Sequence, residues 1–289
     1  MNFVKIFKNI MLQNNSLADM IILSEKDQLP NIILGVSPCR SGSTILLRVF
    51  GANQVLSIFQ PFKNLLRWNQ IGKPKQFSLK NVFAKNKITN KDIVFIKETL
   101  GPYHNYECFF NPLAMLLEAG YPADKITVLL NLRDPITTWS SWKEIWGTKT
   151  SLARMLSTFQ AMSQINEYAI SHNIKCVFYT YELLNKLPTK QLMSKLFNQL
   201  KITQKTDIII DNFDQLPEFG TPGSNIIWPK EPNGVAVDNV HLPVKESKQY
   251  HFKSRLPINL SSSEVAQINS SNIQQIYQKF WKISQEMLT

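Results

Sequence analysis

The sequence predicts an α/β fold in which a central parallel sheet is flanked by helices, and three observations carry that expectation. Short apolar runs bounded by breakers recur along the chain, segments of helical spacing separate them, and the 289 residues are 44% hydrophobic, enough to bury a substantial core. Those numbers exclude a disordered chain and a disulfide-stapled miniprotein. Residues 1–289 are expected to form a single domain.

Taken in order, Phe3, Val4, Ile6, Phe7, Ile10 and Met11 recur at helical spacing around Lys5, Lys8 and Asn9. Residues 1–30 are therefore expected to be an N-terminal helical segment docked on the domain, with a membrane or partner surface as the alternative. Asn31 to Ser37 is an apolar run entering a Pro-Cys-Arg-Ser-Gly turn, and Ser43 to Phe50 has helical spacing, so strand, loop and helix follow one another. Lys91 to Glu98, Lys125 to Asn131 and Lys175 to Tyr179 are further runs of strand length with β-branched or aromatic residues. Helical patterns cover Phe109 to Ala119, Pro135 to Ile145, Leu152 to Ser171 and Thr189 to Leu200, and this alternation predicts the parallel sheet. Residues 211–257 are rich in Pro, Gly and Asn and are expected to be an irregular binding loop, followed by a helix over 262–287.

Lysine and arginine number 32 against 21 acids, a net charge of +11 that suits an anionic ligand, a nucleic acid or an anionic membrane. The lysines are scattered, with no basic run and no interleaved aromatics, which argues against nucleic acid. No apolar run approaches the ~18 residues of a membrane span. Cys39, Cys108 and Cys176 have neither metal-ligand nor disulfide spacing, as expected of a reducing cytoplasm, and His172, His241 and His251 form no metal spacing; no metal is expected. Nothing in the sequence sets the oligomeric state.

Two segments carry chemistry. In Ser37-Pro38-Cys39-Arg40-Ser41-Gly42-Ser43-Thr44, Gly42 allows close approach of the backbone to a ligand. The free N–H groups of the helix start point at it, and the Ser43 and Thr44 hydroxyls add donors. An anion suits that position. A Walker A loop needs glycine at 37 and lysine at 43, where this chain has serines, so an ordinary nucleotide kinase is disfavoured. The second segment runs from Asn131 to Lys143, directly after another predicted strand, with Arg133-Asp134-Pro135 and Ser141 nearly two helical turns on. Arginines number only six, so Arg40 and Arg133 stand out as placed fork donors.

Together these segments resemble the sulfotransferases that use 3′-phosphoadenosine 5′-phosphosulfate (PAPS), which have a P-loop-like nucleotide-binding fold. That family has a P-[KR]-[SG]-[GS]-[ST]-[ST] loop and an R-[DN]-P segment with a serine eight residues after its arginine, the spacing of Arg133 and Ser141. Ser57 to Phe62 is similar to its aromatic-acid-Pro-Phe segment, with Gln60 at the acid, and Phe178 to Leu184 to its Y-E-x-L segment. The likeness spans roughly Asn31 to Leu200. It implies in-line transfer of a sulfuryl group to an acceptor hydroxyl or amine, with release of adenosine 3′,5′-bisphosphate (PAP) and no metal.

By the resemblance, Arg40, Ser41, Gly42, Ser43 and Thr44 hold the 5′-phosphosulfate, with the Arg40 charge opposite the leaving phosphate, and Arg133 and Ser141 hold the 3′-phosphate. The acceptor's base is a His or Glu after the strand preceding the R-D-P strand. Glu98 is the first choice, His104 the rival, and Lys97 an anchor for sulfuryl or phosphate oxygens. Lys245, Lys248, Lys253 and Arg255 are basic residues of the irregular segment, and Arg255 is the candidate there for the 3′-phosphate, although the family's R-K-G-x-x-G signature is not readable. Trp68, Trp139, Trp142, Trp146 and Trp228 are candidates for pocket walls or core. Asp211, Asp214, Glu218, Glu231, Asp238 and Glu246 suggest a small polar acceptor, such as a cationic natural product of the saxitoxin type, rather than a phenol or steroid. The alternatives are a P-loop small-molecule kinase and a non-catalytic basic nucleic-acid or membrane binder.

Overall fold

The computed structural model describes residues 17–203, 207–232, 244, 246–252 and 260–289. Strands and helices follow in the order β1 (Ile21–Ile22), β2 (Asn31–Pro38), α1 (Ser43–Ala52), β3 (Leu56–Phe59), α2 (Pro61–Gln70), β4 (Phe77–Ser78), α3 (Leu79–Lys85) and β5 (Ile93–Leu100). Then come α4 (Asn105–Phe109), α5 (Pro112–Glu118), β6 (Ile126–Leu132), α6 (Pro135–Trp146), α7 (Leu152–Ser171) and β7 (Lys175–Thr180). The described chain ends with α8 (Thr189–Gln199), β8 (Ile226–Ile227), α9 (Ser262–Ser270) and α10 (Asn272–Leu288). Six strands form one sheet in the order β7-β6-β2-β5-β3-β8, and every pairing is parallel.

The sheet buries both faces, which is why its strands are near-continuous apolar runs. Ile33, Phe95, Leu129 and Val177 face α1 and α8, where Leu47, Phe50, Leu196 and Phe197 pack. Ile32, Leu34, Val36, Ile96, Val128 and Leu130 face the opposite layer, built from α2, α5, α6, α7 and α10. The period-2 alternation of strand side chains thus decides which residues meet which helix.

All four predicted sheet strands are present, with ends shifted by one or two residues. Four departures have physical causes. The helix expected over Phe109 to Ala119 starts only at Pro112, because Phe109 ends the separate helix α4, Phe110 is extended and Asn111 restarts the chain as an N-cap, its carboxamide oxygen accepting from the N–H of Leu113 and Ala114. The C-terminal helix breaks at Ser271, which is extended. Sequence periodicity missed β3, β8, α2 and α3; two-residue strands such as β8 exist only through their partner's ladder. The amphipathic pattern at Phe3–Met11 lies outside the described residues. Residues 17–30 hold only a two-residue helical end at Leu17–Ala18, β1 and a short 3-10 turn, so this part of the expected N-terminal helix is absent, although Leu17, Ala18, Ile21 and Leu29 are buried. Among the described part of 211–257, a 3-10 turn at Phe213–Gln215 and β8 interrupt otherwise irregular chain.

Candidate active site

β2 pairs with β5 on one side and β6 on the other, and the chain runs from it first toward β3 and only later to β6 and β7. Such a switch in winding direction opens a crevice beyond the carboxyl ends of the strands. The loop from Cys39 to Gly42 occupies it. Arg40 has φ +69° and Gly42 φ +78°, so two left-handed residues curl the chain back before α1. For Arg40 this conformation costs on the order of 1 kcal/mol, offset by the contacts below. Gly42 has no alternative, since a Cβ there would sit 2.6 Å from the Tyr181 ring. Gly42, the N-cap of α1, has no side chain with which to cap it, and the first N–H groups of the helix open toward the crevice.

The two motifs meet there. Arg40 donates from Nε to Ser141 Oγ at 3.0 Å, and Arg133 donates from Nη1 to the Arg40 carbonyl at 3.3 Å. The Arg133 guanidinium lies 5.1 Å from the centre of the Tyr181 ring. Lys97 reaches over from β5 and donates to Thr44 Oγ1 at 3.2 Å. Thus Arg40, Ser41, Gly42, Ser43, Thr44, Lys97, Arg133 and Ser141 form one constellation. Arg255, with Lys245, Lys253, His241 and Asp238, lies outside the described residues.

In and beside this constellation several buried polar atoms have no hydrogen-bond partner among the described residues: Ser37 Oγ, Ser41 Oγ, Arg133 Nε and both amide atoms of Asn131. Buried polar groups are normally paired, so such a group of orphans around one loop suits a ligand rich in oxygen atoms. Lys97 adds to this. It is 1% exposed and hydrogen-bonded to a hydroxyl, and burial pulls its pKa down to about 7, against the opposing pull of Cys39.

Lys97 and Glu98 do not act side by side. As consecutive strand residues they face opposite sides of the sheet, Lys97 toward α1 and Glu98 toward α2. The Glu98 carboxylate accepts from the N–H of Phe62 at 2.7 Å and of Lys63 at 3.3 Å, holding the start of α2. It is fully buried, and burial pushes its pKa up to about 8 despite those two bonds. His104 is solvent-exposed at the start of α4, its ring stacked on Tyr106 at 4.9 Å.

Sequence analysis missed a polar hub beside the loop. Gln60, left-handed at φ +46°, donates from Nε2 to Thr99 Oγ1 at 2.5 Å. Lys63, 1% exposed, donates to the Gly101 carbonyl and to Thr99 Oγ1 at 3.4 Å, and lies 3.5 Å from Glu107. Glu107 also takes Arg67 at 2.8 Å, and Arg67 reaches Glu231 at 3.2 Å. Lys63 and Arg67 sit one turn apart on α2, a signal available only once that helix is recognised. Tyr181 and Glu182, in the Y-E-x-L segment, were also unassigned. Glu182 accepts from the Asp134 N–H at 2.9 Å and from Tyr277 at 3.1 Å, fixing the turn that carries Arg133.

Trp139, Trp142 and Trp146 are core, at 4%, 0% and 5% exposure, whereas Trp68 and Trp228 are half-buried. Of the loop acids, Glu231 is engaged with Arg67, Asp214 lies 3.9 Å from Lys248, and Asp211, Glu218 and Glu246 are exposed.

Fold and site together define an α/β protein with a strand–loop–helix at the switch point of a parallel sheet, lined by Arg40, Lys97 and Arg133. No protein-family model and no curated protein matches the chain. Among solved structures it is similar to two crystal structures of retinol dehydratase. One, in complex with retinol and PAP, is 13% identical with a TM-score of 0.39, over 96% of this chain and 86% of that one. The other, in complex with androsterone and inactive cofactor PAP, is 12% identical with a TM-score of 0.40, over 97% and 86%. No helix among the described residues is long and apolar enough to cross a membrane.

Proposed function

We propose that this chain is a PAPS-dependent sulfotransferase, acting as one domain in the cytoplasm on a hydroxyl or amine of a small polar acceptor. The observation that carries the proposal is the junction of its two motifs: Arg40 of the loop bonds Ser141, while Arg133 bonds the loop's own backbone. When bound, PAPS supplies an activated sulfuryl group on a phosphate that leaves. The residues fit it. The N–H groups opening α1, with Ser41, Ser43 and Thr44, suit the phosphosulfate oxygens, and Arg133 with Ser141 suits the 3′-phosphate. Arg40, charged at any relevant pH, stabilises negative charge growing on the leaving oxygen by electrostatics alone.

Lys97 contributes a second cation on the other side of the loop, and an anion beside it would restore the charge that burial disfavours. Glu98 is the proposed proton acceptor: its pKa near 8 matches the task, and each oxygen keeps a lone pair beyond the α2 bonds it accepts. His104 is its rival. For the acceptor we favour a polar, cationic natural product, the saxitoxin-type guanidinium alkaloids being the particular candidate. Glu231 enters that role only by exchanging Arg67 for the acceptor.

Incubation with PAPS, PAP or ATP–Mg²⁺, read by thermal shift and by mass spectrometry of the released nucleotide, tests the proposal. Stabilisation by PAP and PAPS and slow release of PAP are expected. Stabilisation by ATP–Mg²⁺ alone would indicate the kinase, and by neither nucleotide the non-catalytic binder.

A further inference from the structure

The Lys97 ammonium lies 4.3 Å above the centre of the Phe59 ring, its register neighbour on β3. The other face of that ring is not left to solvent. β8 pairs with β3, Ile58 opposite Ile227, and this delivers the next residue, Trp228, onto Phe59 with ring centres 3.5 Å apart and planes within 8°. Gly220 donates its N–H to the Ile226 carbonyl at 2.9 Å, folding the segment so that Phe219 stacks on Trp228 at 5.4 Å. Phe219 in turn lies 5.2 Å from the guanidinium of Arg48, which donates to the carbonyls of Phe213 at 2.5 Å and Val244 at 2.7 Å. Arg48 stands on α1 one turn beyond Thr44, the residue that accepts from Lys97. The contacts close on themselves, from Thr44 through Lys97, Phe59, Trp228 and Phe219 to Arg48 and back along one turn of helix.

We propose that Trp228 and Arg48 are positioning residues for Lys97: Arg48 fastens the irregular segment to α1 so that Trp228 closes over Phe59 and keeps the Lys97 ammonium dry against the loop. The inference deepens the sulfotransferase proposal, since it takes Lys97 as the group that meets the anion. It gives the irregular segment a role in setting the charge of the site. Among the described residues the charges acting on Lys97 are Cys39 of the loop, Lys63 of α2 and Glu98 across the sheet, and Glu231, three residues beyond Trp228. Burial is the largest influence on it, so admitting water is the change that moves it most.

The test is an NMR titration of ¹³C-labelled lysine in the full chain, following the Lys97 Cε signal assigned with Lys97→Met. Trp228→Leu is expected to raise the Lys97 midpoint by about one pH unit or more toward the ordinary lysine value of ~10.4. Arg48→Met should move it the same way, and Trp228→Phe, which keeps a ring on Phe59, should hold it near the wild-type value. Trp281→Leu, on α10, serves as the control tryptophan. A midpoint that stays put in folded Trp228→Leu overturns the proposal, and if that variant does not fold, an unmoved midpoint in Arg48→Met does so. A raised midpoint in a protein whose wild type binds no PAP supports the positioning roles and removes the sulfotransferase proposal alone.

Discussion

Arg40 donates to the hydroxyl of Ser141 at 3.0 Å although 101 residues separate them in the chain. The bond joins the loop after β2 to the second turn of α6, and the left-handed backbone of Arg40 aims its side chain across the crevice between them. Each residue therefore depends on the other for its orientation.

Arg40→Ala should lower kcat more than PAPS affinity, because its charge matters most as the leaving group develops. Ser141→Ala should weaken PAP binding and loosen Arg40. A double-mutant cycle on kcat/KM should show coupling of about 0.5–3 kcal/mol, the range for directly bonded neighbours. Additive effects would show that the bond does not serve the reaction.

Arg133→Ala should weaken PAP by about 1.5–3 kcal/mol, the worth of a hydrogen bond to a charged group, while leaving the weak affinity for ATP nearly unchanged. Isothermal titration of both nucleotides decides this. Equal losses for the two would remove Arg133 from recognition of the 3′-phosphate.

Burial holds Lys97 near pH 7, whereas in the unfolded chain it titrates near 10.4. The unfolded state then binds more protons between those values, so this group makes stability rise with pH across that window and lowers it toward pH 7. Urea unfolding should show a flatter pH dependence between 7 and 10 in Lys97→Met. PAP affinity, which draws a proton onto Lys97, should decline above pH 7 in the wild type and not in that variant.

Glu98 behaves oppositely. Its folded pKa near 8 lies above the unfolded value of ~4.3, so its contribution is full below that value and is lost as pH rises to 8. Glu98→Gln should flatten that slope. As the proton acceptor it should also cost about 10²–10⁴ in kcat and abolish the acid limb of the pH–rate profile, with His104→Ala leaving the limb intact. The reverse pattern would assign the base to His104.

With excess PAPS, cationic alkaloids and hydroxyl-rich compounds should be turned over in preference to simple phenols and steroids, and Glu231→Gln should raise KM for the cationic acceptors. Best turnover of a phenol or steroid, with that KM unmoved, would exclude a polar acceptor site.

Local patterning alone determined the α/β class, the four sheet strands and the anion-loop motif, because breakers, β-branched runs and helical spacing act over neighbouring residues. The pairing of Arg40 with Arg133 and Ser141 was legible only through the resemblance of their two motifs to those of a known family, and the structure brings those residues together. Tertiary structure decided what depends on distant chain. It split Lys97 from Glu98 across the sheet, placed Lys63 and Arg67 around Glu107, and carried Trp228 from the irregular segment onto Phe59. β3 lies between β5 and β8, and β8 is only two residues long, so no periodicity in either segment records their meeting. Burial depends on what the rest of the chain lays over a residue, and for that reason the unusual proton affinities of Lys97 and Glu98 arise only in the folded protein.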